Sequence, residues 1–298
     1  MDDPATVLQP LTDIVVPAVY VIAITCLVLE LGVLTWMGKK RDRREGAVSV
    51  ISGGMAFGLL ALANRFFYYG VLFWCWEHRV ATLGVGPAAW LGCFLLQDFM
   101  FYVNHRVVHE VRLFWCFHAV HHSSEEMRLT SAVRGSAFDF LHTSWLFVWI
   151  PLLGFHPLMF LVVESVNRVW GILQHVSPHL VDKMGLFEHV VITPSVHRVH
   201  HGRNELYLDR NYGEVLSIWD RLLGTYVPEM EKPEYGLLKQ IDSRNLLETQ
   251  LRPWMDLLRD LKRAPGWKDR LRYLFDAPGY SHDGPERRVR VLRGQKRV

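Results

Sequence analysis

Residues 14–37, "IVVPAVYVIAITCLVLELGVLTWM", are apolar apart from Glu30 and a few neutral polar residues, and "KKRDRR" follows at once. About twenty apolar residues in helical conformation cross the hydrocarbon core of a bilayer, and a basic cluster beside such a span marks its cytoplasmic end. A second span is expected from about Ala47 to Ala63. The aromatic stretch "FFYYGVLFWCW" beyond Arg65 suits the headgroup level or a dip back into the membrane. A third span is expected from about Ala81 to Tyr102. Residues 140–163 contain no Asp, Glu, Lys or Arg, but Pro151, Gly154 and Pro157 interrupt them, which predicts a hairpin of two shorter helices. With that hairpin, residues 105–135 and 175–298 share the cytoplasmic face.

A chain that is 50% hydrophobic with a positive mean hydropathy is too apolar for an average soluble enzyme. The opening "MDDPATV" lacks the basic region of a cleavable signal, so the first span is expected to be retained. Cys26, Cys75, Cys93 and Cys116 form no C-x-x-C pair and are expected as buried thiols. Residues 250–298 carry thirteen Lys and Arg against six Asp and Glu, a balance that suits an anionic membrane surface or a solvated helical face. Three segments are expected: residues 1–44, a transmembrane helix and basic loop; 45–230, the catalytic unit; and 231–298, a cytosolic basic tail.

Ten of the fifteen histidines fall into four groups. They are His105 and His109 in "HRVVH"; His118, His121 and His122 in "HAVHH"; His175 and His179 in "HVSPH"; and His197, His200 and His201 in "HRVHH". On a helix, positions i, i+3 and i+4 share a face, so each group aims its imidazoles in one direction. Thr193 suits the cap of the last helix, Pro194 its first turn and Gly202 its end. Pro178 is expected to end a helix and bring His179 in from a turn. Isolated histidines such as His78, His142, His156 and His189 are expected to be ordinary hydrogen-bonded residues. Ten gathered imidazoles are different, because each buried nitrogen left unpaired costs about 1–3 kcal/mol and charging them adds repulsion. Metal ions resolve both problems, and ten nitrogens exceed what one ion holds. Imidazole alone does not choose among zinc, copper, nickel and iron, but a site at a membrane face favours redox iron. The chain contains no Glu-x-x-His carboxylate motif and no H-E-x-x-H, and histidines bunched at helix ends do not suit a bis-histidine haem.

The order of these groups, with "NHRVVHEVRLFWCFHAVHHSSEEMRLTSAVRGS" (104–136) and "LFEHVVITPSVHRVHHGRNELYLDRNYGEVLSIWDRLLGTYVPE" (186–229), resembles the fatty acid hydroxylase/sterol desaturase superfamily, in its alkylglycerol monooxygenase-like branch. The resemblance covers roughly residues 45–230. It implies an all-α integral-membrane helical bundle with a cytosolic, histidine-rich di-metal cap. Two irons held by the ten histidines would use O2 and two electrons to hydroxylate a C–H bond of a lipid, whether fatty acyl, alkyl ether or sterol-like. Desaturation at the same site is the nearest variant, and a histidine-rich zinc transporter or sensor is the rival from another class. The electron donor is expected to be external, a redox protein or tetrahydrobiopterin, since no G-x-G-x-x-G fingerprint occurs; no nucleic acid is expected as a partner.

Glu125, Glu126, Asp139, Glu188 and Asp209 are candidates to accept the second N–H of a ligating imidazole, and Asn204 is a candidate oxygen ligand or water holder. Arg134, Arg198, Arg203 and Arg210 are candidates for a headgroup phosphate or for pairing with those acids. Asp220 and Arg221 are expected as a structural ion pair beside Trp219. A multi-pass location is expected, in a bacterial inner membrane or, alternatively, the endoplasmic reticulum.

Overall fold

The first apolar run becomes the 33-residue helix α1 (Pro4–Trp36) of a computed structural model that describes residues 4–142 and 145–295. Its side chains face mostly outward, while Glu30 is buried. Helix α2 (Arg43–Ala63) starts where the Asp42 carboxylate accepts the backbone N–H groups of Arg44 and Glu45 at 2.9 and 3.0 Å. It passes through one π-helical turn, Asn64–Tyr68, into α3 (Tyr69–Glu77). The expected aromatic patch is thus the second half of one 35-residue helix, Arg43–Glu77, because the wide turn absorbs the irregularity without ending the hydrogen-bond ladder.

Among the described residues, α1 and Arg43–Glu77 are the two helices long and apolar enough to cross a membrane. The expected third span overlaps α4 (Pro87–Glu110), which does not share that character. It buries Gln97, Asp98, Asn104, His105 and His109, so it is a helix of the bundle interior.

The expected hairpin in 140–163 is corrected to one helix. Asp139–Leu141 and Ile150–Leu153 are single 3-10 turns, and α7 (Pro157–Leu173) begins only at Pro157; residues 143 and 144 lie outside the described residues. Gly154 explains the break. It takes φ +107°, and a Cβ there would meet the Ala81 carbonyl oxygen at 2.5 Å, so the chain turns against residues 80–83. Helix α7 then packs along α1 and α4 over a core that includes Leu8, Leu72, Cys93, Met159 and Phe160.

Short helices carry the rest: α5 (Arg112–His122), α6 (Leu129–Ala132), α8 (Pro194–His200) and α9 (Ile218–Leu222). Beyond them α10 (Leu246–Arg263), α11 (Trp267–Phe275) and α12 (Val289–Gln295) close the chain. Helices α10 and α11 lie on α5 through Cys116, Leu257, Ala264, Tyr273 and Tyr280, and Arg112 pairs with Asp260 at 2.5 Å. Among the described residues there is no strand, only two isolated bridges. All four cysteines are free, and only Cys26 is partly exposed. The fold is all-helical, as expected of a membrane bundle.

Candidate metal centre

Nine of the ten expected histidines converge, and they form two sets. His105 and His109 from the end of α4, His118 and His122 from α5 and His200 from α8 make one; His121, His175, His197 and His201 make the other. Within each set the ligand nitrogens lie within 4.8 Å of one another. Each H-x-x-H-H group is divided: positions i and i+4 stay together for His118 with His122 and for His197 with His201, while His121 and His200, at i+3, cross to the opposite set. On a helix i+3 and i+4 diverge by about 100° around the axis, so a three-histidine turn lodged between two centres serves both. The sets share a wall, with the rings of His122 and His201 stacked at 4.4 Å.

His179 is not brought in. Helix α7 ends at Leu173, before the histidine pair, and only His175 turns inward; His179 sits exposed after Pro178. Thr193, by contrast, caps α8 as its sequence suggests, accepting the Val196 N–H, with Pro194 in the first turn. The helix ends at His200, and Gly202 keeps ordinary backbone angles; its small size matters because a Cβ would meet the Tyr207 ring at 2.7 Å.

The chemistry of the donor set can be derived from what the far side of each ring touches. Nδ1 of His105 lies 2.9 Å from the Tyr212 carbonyl oxygen, that of His121 3.1 Å from Arg134 O, that of His175 2.9 Å from Gly171 O, and that of His200 2.9 Å from Arg210 O. A carbonyl only accepts, so these Nδ1 atoms carry the proton and the Nε2 atoms carry bare lone pairs. Yet Nε2 of His175 is 3.1 Å from Nε2 of His121, with no proton available between them. In the other set His105 Nε2 meets His118 Nε2 at 3.0 Å, and His109 Nε2 is buried without a partner. Extra protons are disfavoured: burial holds His121 down to about 4 and drives His122, His175, His197, His200 and His201 well below the ordinary imidazole value, with neighbouring rings adding to it. Converging lone pairs that refuse protons fit metal cations, so both sets are suited to hold one.

Of the expected supporting residues only Asp209 faces a ring, its Oδ1 3.6 Å from His109 Nδ1. Glu125 is exposed, and Glu126 accepts the Asp42 N–H and pairs with Arg128. Glu188 accepts the Ser195 hydroxyl and the Met184 N–H, and Asp139 accepts the Ser136 N–H. Asn204 binds Glu231 and the Glu234 N–H in the 231–234 turn, away from both sets. Arg134 and Arg198 are buried and committed, to Ser49 and Ser123 and to Glu229 respectively; Arg203 pairs with Glu234, and Arg210 donates to Gly224 O. Asp220 and Arg221 are not an ion pair. Asp220 accepts the N–H groups of Tyr212 and Gly213 and the Thr225 hydroxyl, whereas Arg221 lies over the Tyr226 ring and donates to Glu188 O. Backbone carbonyls do most of the orienting, and residue types alone could not have pointed to them.

Two cavities reach the centre from different sides. One of about 240 Å³ touches His105, His118, His121, His175 and His197 and is walled by Phe57 and Leu60 of α2 and by Phe101. It also meets Glu214, whose carboxyl is pushed up to about 8 by burial and by the nearby Asp98. The other, about 630 Å³, touches His109, His122, His200 and His201 and is bordered by charged side chains of α10.

Fold and site together describe an all-helical protein with two candidate membrane helices and two adjacent histidine sets that could each hold a metal ion. Residues 90–225 match the model of the fatty acid hydroxylase family, to which the chain is similar. It is 34% identical over 266 residues to human alkylglycerol monooxygenase, covering 88% of this chain and 59% of that protein. The Xenopus tropicalis alkylglycerol monooxygenase gives 34% over 262 residues, 87% of this chain and 58% of its own length. The Rhizobium tropici ornithine lipid hydroxylase OlsE gives 35% over 136 residues, 44% of this chain and 40% of that protein. The chain thus spans less than two thirds of the length of these relatives. No solved structure matches it significantly.

Proposed function

We propose that this chain is an O2-dependent, di-iron lipid hydroxylase that carries out R–H + O2 + 2e⁻ + 2H⁺ → R–OH + H2O. The observation that carries it is the pair of adjacent all-imidazole sets with bare, converging Nε2 atoms, in a family whose named relatives include a lipid monooxygenase and a lipid hydroxylase. His105, His109, His118, His122 and His200 would hold one iron and His121, His175, His197 and His201 the other. Iron, when bound, supplies the redox chemistry that activates O2 toward a C–H bond.

The chain's own residues bind, orient and shield. Carbonyls of Tyr212, Arg134, Gly171 and Arg210 keep Nδ1 protonated and Nε2 directed inward. Phe57, Leu60 and Phe101 give the smaller cavity an apolar wall against which a lipid chain excludes water. Glu214 keeps a proton on its carboxyl at neutral pH, so it adds no negative charge to that cavity. The larger, charged cavity is the natural approach for a water-borne electron donor, a reduced pterin or a redox protein. The cluster "KKRDRR" beside α1 orients this side to the cytosol. Residues 45–230 serve as the catalytic unit and 231–298 as its cytosolic extension.

Elemental analysis with Mössbauer spectroscopy on protein expressed in iron-57 medium tests the centre. Two coupled irons per chain are expected, lost in His121→Ala and kept in His179→Ala. Comparison of lipid extracts from cells with and without the active chain then identifies the product, an alcohol for hydroxylation or an alkene for desaturation. Zinc that persists in iron-replete medium would sink the oxidant and favour a sensor or transporter.

A further inference from the structure

Helix α10 has three faces, one turned into the protein and one to the charged cavity. Gln250 and Leu257 point into the protein, while Arg252, Asp256 and Asp260 border the charged cavity. The third face carries Leu247, Leu251 and Leu258, which are 69%, 41% and 55% exposed. Their spacing of four and seven residues lines them up along one stripe. Helix α11 carries a matching stripe of Trp267, Leu271 and Phe275, spaced four and four and also exposed. None of these six belongs to either apolar core.

The position of α10 indicates what covers this stripe. Arg244, just before the helix, pairs with Asp42, the cap of α2 at the start of a membrane-spanning helix. Gln250 donates to Ser52 Oγ at 3.1 Å and so reaches about 14 Å along α2 from its first residue. The first turns of α10 therefore lie beside the first half of a spanning helix whose neighbouring Val50, Ile51 and Met55 face outward. Lys262, Lys268 and Arg270 are exposed alongside, with the Lys268 ammonium 5.8 Å from the Trp267 ring. An aromatic and aliphatic stripe edged by long cationic side chains suits the boundary between acyl chains and anionic headgroups, where the stems lie on apolar surface and the charges reach phosphate.

We propose that α10 and α11 form an in-plane membrane arm, seated on the headgroup–acyl boundary of the same leaflet that α2 enters, with the Leu247, Leu251, Leu258, Trp267, Leu271 and Phe275 stripe in lipid. The arm thereby fixes one wall of the charged cavity against the membrane surface. This placement stands independently of which metal the histidines hold.

Nitroxide labels at Leu251→Cys, Leu258→Cys and Leu271→Cys, one at a time in the full chain carrying Cys26→Ser, test it in phosphatidylcholine/phosphatidylglycerol nanodiscs. Arg259→Cys, on the cavity side, is the water-facing control. The expected result is collision with O2 several-fold above that with Ni-EDDA at the three stripe positions, and the reverse at 259. Ni-EDDA accessibility at the stripe equal to that at 259 overturns the proposal. Low accessibility to both probes with dipolar broadening between copies also overturns it, assigning the stripe to a second copy of the chain.

Discussion

Asp209 and Asn211 adopt left-handed backbone at φ 51° and 55°, and that turn aims three groups at the five-imidazole set. The Asp209 carboxylate faces His109, the Arg210 carbonyl faces His200 and the Tyr212 carbonyl faces His105. Left-handed angles disfavour most side chains by roughly 1–2 kcal/mol, less for Asp and Asn, so the turn needs anchoring. Asn211 provides it: its Nδ2 donates to the Val196 and Val227 carbonyls and its Oδ1 accepts the Val227 N–H. Asp209→Asn keeps a residue that tolerates this backbone but removes the charge facing His109. Metal affinity of the five-imidazole set is expected to fall about 10–100-fold, the usual cost of losing an outer partner of a ligand. The four-imidazole set and the melting temperature of the metal-free protein should hardly change. Competition titration with a chelating fluorophore reads both sites, and equal weakening of the two would refute a local role. Histidine spacing named ten side chains, nine of which gather, because i, i+3 and i+4 adjacency is a property of any helix. It did not tell that His121 and His200 cross between sets, nor that His179 stays out, since both depend on where one helix ends and its neighbour begins.

Glu30 shows how elements are tied across that boundary. In the sequence it only interrupts an apolar run, yet its carboxylate accepts the Leu129 N–H and the Ser177 N–H, both at 2.7 Å. Those donors lie 99 and 147 residues away, at the first residue of α6 and in the turn after His175. Apolar side chains gain little from leaving lipid for a protein interior, so satisfied polar contacts and close packing hold such helices together. Gly53 is the packing counterpart on α2, where a Cβ would lie 2.2 Å from the Val133 carbonyl oxygen. Glu30→Ala leaves two buried N–H groups without acceptors and is expected to destabilise the protein by about 2–4 kcal/mol. Glu30→Gln, which keeps one carbonyl oxygen, should lose less. Thermal unfolding in one detergent ranks the three proteins, and an Ala variant as stable as the parent would show that water replaces the carboxylate. Composition alone located the two long apolar helices but also suggested a third span, whose place is taken by the polar-lined interior helix α4. The missing hairpin arm and the continuous α2–α3 helix could not be read from it, because Gly154 against Ala81 and the π-helical turn are set by tertiary contacts.

At the scale of the whole molecule the centre lies between two cavities, the larger bordered by charged side chains of α10 and the smaller walled in part by Phe57, Leu60 and Phe101, and the two divide the imidazoles between them. Hydroxylation consumes an apolar substrate and electrons from a water-soluble source, so a single entrance would force both to share one path. On the proposed reaction, separate entrances would let a lipid approach along α2 and a reductant approach under α10. Distinct kinetic signatures follow. Ala56→Phe adds bulk to a wall of the smaller cavity, so kcat/KM for the lipid found by extract comparison should fall roughly tenfold, with the reductant dependence unchanged. Leu238→Trp adds an indole at an exposed edge of the larger cavity and should raise the KM for the reductant while leaving lipid selectivity alone. Steady-state kinetics with each co-substrate varied in turn separates the two effects. If both substitutions raise the KM of the lipid and neither affects the reductant, the charged cavity is a second lipid vestibule and electrons must enter through the protein surface.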